Sequence, residues 1–268
     1  MPSPHAFADP RLADLDGFYV EIDPATERAD VVLDRPPFNI VSMPQREQLR
    51  LVFETLDDDP RVRVIVVRGV GEHFSSGGNI RGFMEASPET VSRLAWNIAA
   101  PARASKPVIA ANRGYCFGVG FELSLACDFR IVTDTTQYAL PEQRLGQIPG
   151  SGGSARLQKM VGITRTKDIV MRSKRIPAQQ AVDWGIATEK VADADLEAAT
   201  DALVAELRTF SPIAQRTAKK LLNDTEDSSL AIAIELEGHC YSRLRQSSDF
   251  KEGVEAFHEK RKPAFTGF

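Results

Sequence analysis

Glu122 places a carboxylate where one is costly, among Phe121, Leu123 and Leu125 in the run GYCFGVGFELSLACD at 114–128. A charged group in apolar surroundings needs a partner or a chemical purpose, so Glu122 reads either as half of an ion pair near a helix start or as a proton-moving group. The preceding glycines, Gly114, Gly118 and Gly120, mark a turn leading into a helix. Such a turn aims unpaired N–H groups outward, a receiver for developing negative charge. A second carboxylate, Glu142, stands in LPEQRLGQIPGSGG at 140–153, where prolines and glycines fix an irregular backbone. A loop made this rigid positions something. The third segment, HFSSGGNI at 73–80, reads as a plain Gly-rich turn or as one whose backbone N–H groups approach a ligand oxygen closely.

Other chemistries have less support. GSGGSA at 150–155 satisfies G-x-G-x-x-A, the mark of an NAD-dependent dehydrogenase, but it follows Pro149 instead of a strand and lacks a clear ribose-binding acid. The four histidines, His5, His73, His239 and His258, are scattered, which favours neither a zinc site nor a Ser-His-Asp triad. His73 reads as structural. G-x-S-x-G, H-E-x-x-H and the Walker loop are absent, and no metal is expected.

The elements that must hold these segments suggest an α/β chain. The β-branched runs 31–33 and 62–68 read as strands. Between them, Leu49, Val52, Phe53 and Leu56 recur three or four apart and predict a helix over 44–58 with one face inward. A second helix is expected over 88–104, a buried strand over 106–111, a helix over 121–127 and a strand over 129–133. Beyond Gly162 the periodicity turns helical, over 164–172, 178–184, 194–209, 211–223 and 229–245, with Ser211-Pro212 as a well-formed helix start. The change near residue 200 suggests a core followed by a helical layer of the kind that covers a neighbour.

Charge and composition narrow the partners. Lys+Arg 33 against Asp+Glu 37 leaves a net charge of −4, so no general positive field exists to collect nucleic acid or an anionic membrane. The three cysteines, Cys116, Cys127 and Cys240, are odd in number and lack Cys-x-x-Cys spacing, which fits a reducing cytoplasm. The N-terminal residues lack a basic start and an apolar stretch, so they do not read as a secretory signal. The most apolar stretch, 108–129, contains Asn112, Arg113 and Glu122 and makes a poor membrane span.

Taken together, Arg35-Pro36 with Asn39, HFSSGGNI, KPVIAANRGYCFGVGFELSLACD, LPEQRLGQIPGSGG and the terminal EGVEAFHEKRKPAF resemble the enoyl-CoA hydratase/isomerase, or crotonase, superfamily. The resemblance covers nearly the whole chain, with the blocks in the family's order. It implies a spiral of ββα units over 1–200 carrying the acyl-CoA site, and a C-terminal helical region over 201–268 packing at a subunit interface of a homotrimer or homohexamer. It further implies that a thioester carbonyl lies between the N–H groups of Gly78 and Val119. Here Val119 interrupts what many relatives have as three glycines, and its side chain is expected to crowd the acyl pocket. Asn79 stands where Asp is frequent, a change expected to affect loop packing more than chemistry. Ser76, Asn79 and Ile80 are placed against substrate by the same likeness. Phe257 and Lys260 are placed toward a neighbouring subunit's CoA, although HEKRK alone reads as a solvated tail.

Function diverges within this fold, so the carboxylates must decide the reaction. Glu122 and Glu142 match both glutamates of the family's true hydratases, at the same separation. The resemblance therefore implies hydration of a 2-enoyl-CoA, with Glu122 activating water, Glu142 exchanging a proton at C2 and the Gly150 N–H holding the water. No cofactor is expected, coenzyme A being part of the substrate. Isomerisation, or hydration of a cyclic or dienoyl thioester, is the rival within the family. Bulky Phe83, Met84, Trp96, Phe117 and Val119 near the expected pocket are compatible with such an unusual substrate. A non-catalytic acyl-CoA-binding homologue is a further alternative.

Overall fold

The computed structural model describes residues 5–268. Its centre is a six-stranded sheet built from β1 (Phe18–Asp23), β2 (Arg28–Leu33), β3 (Val64–Gly69), β4 (Val108–Asn112), β6 (Phe129–Thr133) and β9 (Glu189–Val191), in the order β1-β2-β3-β4-β6-β9. The first pair is an antiparallel hairpin that sets Phe18 opposite Leu33, and every other neighbour is parallel. A second sheet of three short strands, β5 (Tyr115–Phe117), β7 (Gln137–Ala139) and β8 (Ile176–Pro177), runs in the order β5-β7-β8.

The two-residue period of a strand divides the core. Ile65 and Val67 of β3, with Val108 and Ala110 of β4, pack into the main cluster beside the Met43–Asp58 helix. Val64 and Val66, with Ile109 and Ala111, point the other way onto Leu196, Val204 and Leu207 of the Leu196–Arg208 helix. Strands covered on both faces read as continuous apolar runs, which is why VRVIVVR and KPVIAA announce themselves in the sequence. Position 200 thus falls inside a helix that belongs to the sheet. The outer helical layer begins beyond it, at Ser211.

The Met43–Asp58 helix starts on a capping box, with Ser42 accepting from the Gln45 N–H and the Gln45 side chain accepting from the Ser42 N–H. The single helix expected over 88–104 is instead three short pieces, Pro88–Ser92, Leu94–Ile98 and Ala100–Arg103. Pro101 has no N–H to donate to the Asn97 carbonyl and its ring crowds that carbonyl, which accounts for the last break, at Ala99. The Gly153–Met171 helix is kinked at Gly162, whose φ of 77° leaves helical space. Three final helices, Pro212–Thr225, Leu230–Leu244 and Ser248–Glu259, are each capped by the preceding serine, Ser211, Ser229 and Ser247. Lys219 ties this layer to the core, donating to the carbonyls of Pro101 and Lys106 at 2.8 and 2.9 Å and to the Asp128 carboxylate at 2.7 Å.

Candidate active site

The three glycine-rich segments meet at the small sheet. Residues 73–78 lie along β5: the Ser75 N–H donates to Tyr115 O and the Phe117 N–H to Ser75 O, both at 2.9 Å. The Gly118 N–H donates to Ala139 O of β7 at 2.9 Å, which brings the segment carrying Glu142 alongside. Asn39, 1% exposed, closes the other side by donating to the carbonyls of His73 and Val70 at 2.7 and 3.0 Å. His73 stacks between Phe38 and Tyr115 and accepts from the Tyr115 N–H, a structural part.

Each segment contributes backbone donors. Among the described residues, the N–H groups of Gly78 and Val119 have no protein acceptor. Val119 opens the Val119–Ala126 helix, so its N–H is one of the groups a helix start leaves unpaired. Gly118 caps that helix at φ 50°, and a Cβ there would stand 3.2 Å from Oε1 of Glu142. Only glycine lets the turn and the carboxylate share this space. The Val119 side chain points into the protein interior. It is 4% exposed and packs into the main core, because the first residue of a buried helix faces inward.

Glu122 is 3% exposed, and its Oε1 accepts from the N–H groups of Ser151 and Gly153 at 2.6 and 3.0 Å. Burial pushes its pKa up, and these two donors pull it partly back. The GSGGSA motif therefore serves the protein itself. Its turn follows no strand, and two of its N–H groups are spent on Glu122, which removes the dinucleotide reading. The Gly150 N–H, one residue earlier, has no acceptor among the described residues.

Glu142 begins a short 3-10 turn, Glu142–Leu145, after Pro141. Its Oε2 is enclosed yet has no hydrogen-bond partner among the described residues. Burial, with the Glu122 charge adding to it, raises its pKa to about 7. The two carboxyl groups thus sit close enough to sense each other, one held by donors and one left open.

Sequence reasoning missed Arg46. It is 2% exposed and belongs to the charge environment of Glu122. Its Nη2 comes within 2.7 Å of where a Gly78 Cβ would be, and its guanidinium lies over the Phe83 ring, Cζ 4.8 Å from the centroid. The signal was present: Arg46 shares the inward helix face with Leu49 and Phe53, so a charge lay on an apolar stripe.

Asn79 follows Gly78 and caps the short Ile80–Glu85 helix, its side chain accepting from the Gly82 N–H, and Ile80 is 55% exposed beside it. The Ser76 N–H is spent on Phe38 O. Of the bulky residues, Phe83 reaches the site, whereas Met84 is 89% exposed and Trp96 stacks on Arg103 in a separate groove. Phe257 and Lys260 lie exposed on the last helix, and no hydrogen bond or ion pair among the described residues joins them to the glutamates.

Comparison with known proteins places this arrangement. The family model for Enoyl-CoA hydratase/isomerase matches residues 27–267, and the chain belongs to that family. A carnitinyl-CoA dehydratase of Proteus mirabilis (strain HI4320) is 34% identical over 246 residues, spanning 89% of this chain and 94% of the relative. A probable mitochondrial enoyl-CoA hydratase 2 of Arabidopsis thaliana is 32% identical, over 89% of this chain and 81% of its own. The crystal structure of an enoyl-CoA hydratase from Bacillus anthracis superposes with a TM-score of 0.88 at 30% identity, covering 94% of this chain and 100% of that one. The architecture is the crotonase fold that the sequence blocks implied. Among the described residues, no helix is long and apolar enough to cross a membrane.

Proposed function

We propose that the protein is an enoyl-CoA hydratase, adding water across the C2=C3 bond of a 2-enoyl-CoA to give a 3-hydroxyacyl-CoA. The observation that carries this reading is the unlike pair of carboxyl groups beside two free N–H groups. Glu122 is fixed by two backbone donors, and Glu142 is open with its pKa raised to about 7.

The thioester oxygen lies between the Gly78 and Val119 N–H groups, which stabilise the enolate charge as it forms. Ionised Glu122 takes a proton from water held at the Gly150 N–H, and the water oxygen bonds to C3. The electron pair of the double bond moves toward C2 and the thioester oxygen. Protonated Glu142 then delivers its proton to C2, which leaves Glu142 ionised and Glu122 protonated. The pair holds one proton before and after, so the same groups run dehydration in reverse. That reversibility is consistent with relatives named for either direction.

Phe257 and Lys260 serve the CoA of an adjacent copy in a trimer or hexamer. Exposed Leu230, Ile232 and Ile234 on the neighbouring helix support such an assembly.

The deciding experiment is a panel of 2-enoyl-CoA thioesters followed by mass spectrometry. Gain of one water by a substrate, lost in Glu122→Gln and Glu142→Gln, is the expected result. Unchanged mass across the panel, or a shifted double bond without water, overturns it.

A further inference from the structure

The Arg46 charge favours ionised Glu122, yet its guanidinium keeps an unfilled donor for which hydration of a plain hydrocarbon chain has no use. Arg46 is 2% exposed, and among the described residues its Nε has no hydrogen-bond partner and it forms no ion pair. Burial lowers its pKa only to about 10, so the cation persists at neutral pH. A buried charge with a donor unfilled is among the costlier features a fold can carry. An acceptor arriving with the substrate removes that cost.

The geometry says where this acceptor sits. Nη2 lies beside Gly78, the residue whose N–H faces the thioester oxygen in the reading above. The Arg46 Cζ lies over the Phe83 ring, 4.8 Å from its centroid, a cation–π contact. A guanidinium presents its N–H groups along the edge of its plane, the arrangement that suits a planar carboxylate. A role limited to keeping Glu122 ionised does not require an unfilled donor, and Glu122 already has two N–H partners of its own.

Building on the hydratase reading, we propose that Arg46 is a specificity residue for an acyl group bearing a second carboxylate near the thioester. The substrate class is then the CoA monothioester of a short unsaturated dicarboxylic acid. An acyl group bearing a quaternary ammonium meets a like charge at this point and is disfavoured.

Equilibrium binding tests this without any turnover. Titration calorimetry compares 4-carboxybutanoyl-CoA, its methyl ester and a trimethylammonium-bearing acyl-CoA on the wild-type chain, on Arg46→Met and on Arg46→Lys. The wild type is expected to prefer the acid over the ester by about tenfold or more, the scale of a hydrogen-bonded charge. The ammonium thioester should bind weakest. Arg46→Met should bring acid and ester together, and Arg46→Lys should restore part of the preference. A wild type that binds acid and ester alike overturns the inference, as does an Arg46→Met variant that keeps the preference. The wild-type comparison decides even where the variant fails to fold. Hydration of 4-carboxybut-2-enoyl-CoA is assayed separately: binding preference without turnover defeats the hydratase reading and leaves the role of Arg46 standing.

Discussion

At the scale of single residues, the proposed chemistry depends on one proton shared by Glu122 and Glu142. Because that proton is present at both ends of the reaction, hydration and dehydration have the same pH profile. Activity should fall about tenfold per pH unit as pH rises above about 7, where Glu142 releases the proton. The pH profile of kcat/KM checks this, and a rate that stays level above pH 7 counts against a catalytic proton on Glu142. Glu142→Gln or Glu122→Gln should lower kcat by about 10²–10⁴ while a saturated acyl-CoA still binds, read by kinetics and calorimetry. Stability carries a second signature. The folded-state pKa of Glu142 lies above its ordinary value of 4.5, so the native state holds the proton more tightly than the unfolded chain. Stability therefore falls as pH rises from about 4.5 to about 7 and levels off above. Glu142→Gln should flatten that slope in a series of thermal melts. The sequence made both glutamates legible because each is a charge among apolar or rigid neighbours. Arg46 obeys the same rule, but its polar neighbours Gln45, Glu47 and Arg50 mask the misplaced charge.

At the scale of elements, the site depends on turns that tolerate little change. Gly118 combines φ 50° with ψ −127°, and a side chain there would press on Glu142. Gly118→Ala should cost about 1–3 kcal/mol, measured by urea denaturation, and reduce kcat more than it alters KM. Lys219 is a different case, a nearly buried cation satisfying Asp128 and two carbonyls. Lys219→Met strands the carboxylate and should cost about 3 kcal/mol in the same measurement. Long elements with a strong period, such as the Met43–Asp58 helix and β6, are visible in the sequence within a residue or so. Short strands such as β5, β7 and β9 are not, because three residues carry no measurable period and are strands only by pairing. The helix expected over 88–104 erred the other way. Its apolar spacing was helical, but Pro101 outweighed it.

At the scale of the whole molecule, the helical layer leaves apolar residues uncovered: Leu230 is 76% exposed, Ile234 60% and Tyr241 65%. Sedimentation velocity should find a trimer or hexamer, and a Leu230→Glu, Ile234→Glu double variant should shift it toward monomer. Lys260→Ala should raise KM for an acyl-CoA more than it lowers kcat, provided the assembly is intact. The amino-acid sequence by itself determined the α/β class, the helical tail, the three glycine-rich segments and the two glutamates, because periodicity, turn chemistry and misplaced charge are local properties. Tertiary structure decided what each of them faces. It spent the Ser151 and Gly153 N–H groups on Glu122, turned Val119 into the core, sent Met84 and Trp96 elsewhere and carried Arg46 to Gly78. Those outcomes depend on contacts between residues far apart in the chain, and only the packed fold sets the distances that make them.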